Sequence, residues 1–383
     1  MIIEGLVPEF CPYMIKMIIM VGIRLTLSSY KKEPPNTRKT SKYRQISPNN
    51  RLKGICMSDG SVTSRRGFKA RTAMGLCVVA GLLMPAANVS ASAVSAPKST
   101  TPTIVETSWL EQNLNNAKVR IIEVSTDPGL YEKGHIAGAT KFVWHTDFVD
   151  PVNRDIVEKD RFQKLARAAG INNDTTVVLY GDKNNWFSAW GVWIFKTYGI
   201  KDVRILNGGR DKWIKEGRAI TPIPAAIQKG NFTATAADLK LRAFLPDVVK
   251  IAKKTDKTTK LVDIRSADEF SGKIFAPAGF QELAIRAGHI PGAANVPWST
   301  AVGSDGSFKS PAELKKIYAD AGIDGTKKVI VYCRIGERAA HTWFVLSQIL
   351  GYDVKLYDGS WTEYGNSVGV PISNPSGTVW GKG

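Results

Sequence analysis

The sequence predicts an α/β protein whose main unit is built twice, each copy a mainly parallel sheet with helices on both faces. Three observations carry this expectation. Blocks of sequence recur in one order at nearly constant spacing, short β-branched runs alternate with stretches of helical spacing, and turn residues separate them. Residues 120–124 match 260–264, Gly134-His135-Ile136 matches Gly288-His289-Ile290, residues 177–180 match 329–332, Tyr198-Gly199 matches Leu350-Gly351, and residues 203–208 match 354–359. The offsets stay between 151 and 154 residues except across the first block.

In the second copy, strands are expected near 261–264, 293–296, 328–332 and 354–357, and helices near 266–270, 311–321 and 338–350. Pro222, Pro224 and the polar stretch 228–238 read as a linker. Residues 272–286 insert a long loop ahead of the Gly288 block. The expected domains are 97–222, 223–242 as linker, and 243–383.

The amino end is different in kind. With 43% hydrophobic and 22% charged residues the chain is globular in type, and its formal charge is +18. Much of that charge lies in the first 71 residues, with 14 Lys or Arg against 4 Asp or Glu, so the remainder carries only +8. Downstream the basic residues are scattered, which argues against a nucleic-acid partner. Ser64-Arg65-Arg66-Gly67-Phe68-Lys69 precedes an apolar run and small-residue sites such as Ala91-Ser92-Ala93. Residues 57–96 are therefore expected to be a signal peptide of twin-arginine type, and the protein exported to the periplasm or beyond. The apolar run is too short to span a membrane, so no stable anchor is expected after cleavage. Met57 is the expected initiator, which would make residues 1–56 an over-extended reading frame.

Of Cys11, Cys56, Cys77 and Cys333, only Cys333 follows the expected cleavage region. It opens the segment Cys333-Arg334-Ile335-Gly336-Glu337-Arg338, between an apolar strand and a helix. That is the sheet edge where ligands gather in open α/β sheets. The helix start and the flanking arginines are expected to lower the thiol's pKa and make it a nucleophile. Loop N–H groups would cradle the sulfur, and Gly336 would let the loop turn. Arg338 and Arg265, the latter just past the first strand of the second copy, are the cations expected to meet an anion. In the first copy Gly181 takes the place of Cys333, so that copy is expected to be a structural half. The dispersed His135, His145, His289 and His341 argue against a metal site, and matching His135 and His289 are expected to hydrogen-bond structurally. No cofactor is expected.

The repeated unit, the Gly-His-Ile-x-Gly-Ala block and the Cys-Arg-x-Gly-x-Arg loop resemble the tandem-domain rhodaneses, the thiosulfate and 3-mercaptopyruvate sulfurtransferases. Asp358-Gly359-Ser360-Trp361 resembles that family's carboxyl-terminal block, and the resemblance spans about residues 105–372. It implies two rhodanese-like domains, the first inactive and the second catalytic. It also implies transfer of the sulfane sulfur of thiosulfate to cyanide or a thiol through a persulfide on Cys333. Substrate contacts are expected from Arg265, Arg338, Arg334, Ile335, Gly336 and Glu337. Mercaptopyruvate-preferring members resemble Cys-Gly-Ser-Gly here, and Ile335 stands at the serine's place. Three rivals remain: a mercaptopyruvate enzyme, a non-catalytic persulfide carrier or redox sensor, and a Cys-x5-Arg phosphatase. The spacing here is Cys-x4-Arg, with Ala339 next.

Overall fold

The computed structural model describes residues 102–281 and 283–381. The expected extension 1–56, the signal 57–96, and Cys11, Cys56 and Cys77 lie outside the described residues. No described helix is long and apolar enough to cross a membrane.

The chain folds into two parallel sheets. In the first, β1 (Ile104–Val105), β2 (Val119–Glu123), β3 (Ala139–Lys141), β4 (Thr176–Tyr180) and β5 (Val203–Leu206) lie in the order β1-β5-β4-β2-β3. In the second, β6 (Thr259–Asp263), β7 (Ala293–Asn295), β8 (Lys328–Tyr332) and β9 (Val354–Leu356) lie in the order β7-β6-β8-β9. Equivalent strands pair in the same register: Ile121 faces Val178 as Leu261 faces Ile330. In the second sheet a single parallel bridge between Arg242 and Leu356 stands where β1 stands in the first.

Alternating side chains assign the two faces of each sheet. Val119, Ile121, Val178 and Tyr180 pack with Leu110 and Trp213 on the outer face of the first sheet. On the outer face of the second, Leu261, Ile330 and Tyr332 pack with Val248, Ile251 and Trp361. Strand residues of the opposite faces, among them Ile122, Val177 and Leu179, then Val262, Val329 and Val331, belong to one continuous cluster. That cluster spans both copies because helix Trp186–Thr197 of the first packs on helix Glu337–Trp343 of the second.

The repeated blocks have a shared physical task. The tyrosine ending the central strand of each copy accepts an N–H from the Gly-His-Ile turn, Ile136 N to Tyr180 at 2.9 Å and Ile290 N to Tyr332 at 3.1 Å. His135 and His289 use Nδ1 on the carbonyls of Tyr131 and Phe270, at 2.9 and 2.7 Å, and stack on those same rings. Both histidines are therefore structural clamps.

The helix expected at 338–350 begins at Glu337 and changes to a π-helix at Phe344–Ile349, closing with Leu350 N on Val345 O at 3.0 Å. The short helix Ala267–Ser271 starts with a Ser266 cap and the reciprocal Glu269 bond back to Ser266. Helix Leu245–Ala252, which covers the second sheet's outer face, lies ahead of any segment the spacing singled out.

His341 lies inside the shared core with no exposed surface and no partner on either ring nitrogen, stacked at 4.9 Å on Phe308. Burial holds its pKa down at about 3. A buried neutral base binds fewer protons than its unfolded counterpart. Its contribution is complete above the ordinary histidine value of about 6.5 and is lost as pH falls from there towards 3. Denaturant titrations of the wild type and His341→Phe should show a steeper loss of stability in the wild type across that window, by up to about 1.4 kcal/mol per pH unit. Parallel curves would contradict this account.

Candidate active site

Cys333 follows β8 directly and is fully buried, the one free cysteine among the described residues. Its loop is pinned from below by the Asp358-Gly359-Ser360-Trp361 block. Cys333 N donates to Ser360 Oγ at 3.1 Å, Trp361 N to Cys333 O at 3.0 Å, and Thr362 N to Arg334 O at 2.9 Å. The loop then turns back so that Gly336 N donates to Cys333 Sγ at 3.0 Å. Gly336 has φ +107, and a Cβ there would meet the Trp190 ring at 2.6 Å and Asp358 O at 2.9 Å. Glycine is thus required both by backbone conformation and by the first copy's helix pressing on the loop.

Beside the loop lies a cavity of about 280 Å³ between the two copies. Trp186 of the first copy and Phe280, Trp298, Arg334, Glu337 and Arg338 of the second line it. Cys333 is one side chain removed from it: Sγ sits 3.8 Å from Glu337 Oε2. Arg338 is held by Glu269 at 3.1 and 3.3 Å, with its guanidinium 6.0 Å from the Trp186 ring centre. Arg334 donates to Gln281 O at 2.6 Å and lies over the Phe280 ring, which fastens the inserted loop to the cavity rim. Two guanidiniums therefore face a hollow that three aromatic rings and the Glu269 and Glu337 carboxyl groups also line, and they are the groups there that can meet a small, multi-oxygen anion.

Three expectations need correction. Arg265 is not in the cavity: only 1% exposed, it grips Asp263 at 2.6 and 3.0 Å, donates to Gly288 O at 2.7 Å, and lies beneath the Trp361 ring. It braces the Gly288 turn, because a carboxylate two residues back captures it before it can reach the sheet edge. Ile335 and Gly336 do not line the cavity either; Ile335 packs against the core and Gly336 serves through its N–H. Third, the thiol is not acidified. Burial pushes Cys333 up to about 11, with the Glu337 carboxylate adding to the rise, while Arg338 and the N–H groups of Ala339 and Gly336 pull the other way. Burial also raises the Glu337 carboxyl above its usual range. Burial thus favours the uncharged form of both groups.

The first copy has neither a thiol nor space for one. A Cβ on Gly181 would collide with the Val124 carbonyl oxygen, and Asp182 turns away to accept N–H groups of Thr126 and Asp127. Trp186 and Glu269 enter the site without having been picked out for it. A tryptophan at helical spacing reads as core, and Glu269 also caps its own helix through Ser266.

Replacing Glu337 by Gln removes the charge that disfavours the thiolate. Between about pH 8 and pH 10, where thiolate fraction rises about tenfold per unit, Cys333 alkylation by iodoacetamide should be faster in Glu337→Gln than in the wild type. Slower or equal alkylation would contradict this electrostatic reading.

A rhodanese-like domain model matches residues 106–216 and 246–367. "Putative thiosulfate sulfurtransferase" of Mycolicibacterium smegmatis is 52% identical over 70% of this chain and 96% of its own length. The sulfur carrier protein TtuD of Thermus thermophilus is 50% identical over 70% and 96%. Among solved structures, the 3-mercaptopyruvate sulfurtransferase SseA of Escherichia coli is 28% identical with a TM-score of 0.58, over 68% of this chain and 99% of that one. With every strand but β1 inside the matched segments and relatives half identical over nearly their whole length, the chain belongs to the rhodanese-like family of sulfurtransferases, in its two-domain form.

Proposed function

We propose that this sulfurtransferase takes the outer sulfur of thiosulfate onto Cys333 and passes it to cyanide or a thiol. The observation that carries the reading is the Gly336 N–H aimed at Sγ at 3.0 Å beside a cavity lined by Arg334 and Arg338. The guanidiniums take the sulfonate oxygens. The thiol proton passes to the Glu337 carboxylate 3.8 Å away. The thiolate bonds to the outer sulfur, the sulfur–sulfur bond of thiosulfate breaks, and sulfite leaves with that electron pair. The persulfide's terminal sulfur is then taken by the acceptor, and Glu337 returns the proton. Neutralising Glu337 in the first step also removes a negative charge from the wall that the dianion approaches. The export expected from residues 57–96 belongs to the same proposal and sets the reaction outside the cytoplasm.

A carrier role is the second reading, favoured by the half-identical Thermus relative named for it. Steady thiocyanate production from thiosulfate and cyanide supports the enzyme; a persulfide that forms once without turnover supports the carrier. Mercaptopyruvate as donor is disfavoured by the apolar Ile335, which packs on the core and offers no hydroxyl.

Thiosulfate treatment should add about 32 Da, one sulfur atom, to the peptide bearing Cys333. Cys333→Ser should show no addition. An unmodified wild type, or an adduct elsewhere, would defeat the proposal.

A further inference from the structure

We propose that Arg154, a residue of the first copy, is a positioning residue for the Cys333 thiolate and persulfide, acting through the peptide unit that joins Ile335 to Gly336. The inference rests on the sulfur-transfer reading above and gives the thiol-free copy a part in it.

One amide links Arg154 to the sulfur. Its N–H is the Gly336 group that donates to Cys333 Sγ at 3.0 Å, and its carbonyl oxygen accepts from Arg154 Nη2 at 2.7 Å. In a trans peptide these two groups point in opposite directions, so fixing the oxygen fixes the N–H. Gly336 at φ +107 has no side chain to resist a flip of that unit. A charged donor on the oxygen also polarises the amide and makes its N–H a better partner for an anionic sulfur. Arg154 therefore acts on both the direction and the strength of the bond to Sγ.

Arg154 is not explained by an ion pair. Its approach to the Asp358 carboxylate is 3.7 Å, whereas Arg242 already holds that carboxylate with two bonds of 2.9 and 3.0 Å. Its shorter contacts are carbonyls, Ile335 O and, at 3.1 Å, Asp358 O. The turn that presents it is built for the purpose. Asp150 accepts the N–H groups of Val152 and Asn153, a Val149–Ile156 bridge closes the turn, and Arg154 itself sits at φ 55. Few non-glycine residues adopt that backbone region. Arg242 anchors the turn by gripping Asp155 at 2.6 Å.

The side chain of Arg154 is 43% exposed, so its removal should leave the fold intact. Full-length Arg154→Ala and Arg154→Lys are compared with the wild type in Cys333 alkylation by iodoacetamide as a function of pH, in sulfur loading by thiosulfate, and in thermal unfolding. Arg154→Ala should be alkylated roughly three- to tenfold more slowly at a given pH, the range one hydrogen bond is worth, with its rising limb moved to higher pH. Loading should slow by a similar factor at saturating thiosulfate, Arg154→Lys should recover part of both, and melting should not change. An alkylation profile identical to the wild type, or a defect confined to the thiosulfate concentration needed for half-maximal loading, would overturn the proposal. Iodoacetamide is neutral and needs no sulfur donor. The alkylation profile thus judges Arg154 even if the wild type fails to load sulfur from thiosulfate, an outcome that would count against the donor reading alone.

Discussion

The packing of helix Trp186–Thr197 on the helix that follows Cys333 governs everything else about this site. Trp190 occupies the space where residue 336 would carry a side chain, so the loop must be glycine there and must fold back over its own cysteine. The turn so produced aims one N–H at Sγ and seals the thiol from solvent in the same stroke. Sealing it has an electrostatic consequence: a buried sulfur beside the Glu337 carboxylate keeps its proton at neutral pH. In the proposed chemistry that proton needs a route, and Glu337, which adds to the rise that burial causes, lies 3.8 Å from Sγ.

The cations around the loop divide their labour by what they already hold. Arg265 with Asp263, Arg242 with Asp358, and Arg338 with Glu269 are largely buried pairs, costly to break because each would leave an uncompensated charge. Only the last faces the cavity. Arg334 is held by a carbonyl and an aromatic ring, partners that an anion can replace with less loss. Residues that look alike in sequence thus differ in whether their charge is free to meet a substrate.

The duplication, the strand positions of the second copy, the cysteine loop and the shared histidine blocks were legible because each rests on local pattern. Hydrophobic runs mark strands, and two copies of a clamp such as Tyr332 with Ile290 leave two copies of its residues. The position of Arg265 at the sheet edge was legible, but its direction was not, since that is decided by Asp263 beside it and by Trp361 nearly a hundred residues away. The thiol's environment was misread for the same reason. Helix start and arginines are visible in the loop, whereas the burial comes from another copy's helix. Arg154 reaches Ile335 across 181 positions from a polar turn whose sequence resembles any surface loop.

The account's central claim is that one buried sulfur, directed by the Gly336 N–H and flanked by the arginine-lined cavity, carries the transferred atom. A crystal structure of the thiosulfate-treated protein tests it most directly. The expected result is one extra sulfur bonded to Cys333 Sγ, facing the space between Trp186, Arg334 and Arg338, with the Ile335 carbonyl still on Arg154. Added sulfur on any other group, or a persulfide reached only by turning the loop away from Arg154 and the cavity, would contradict it.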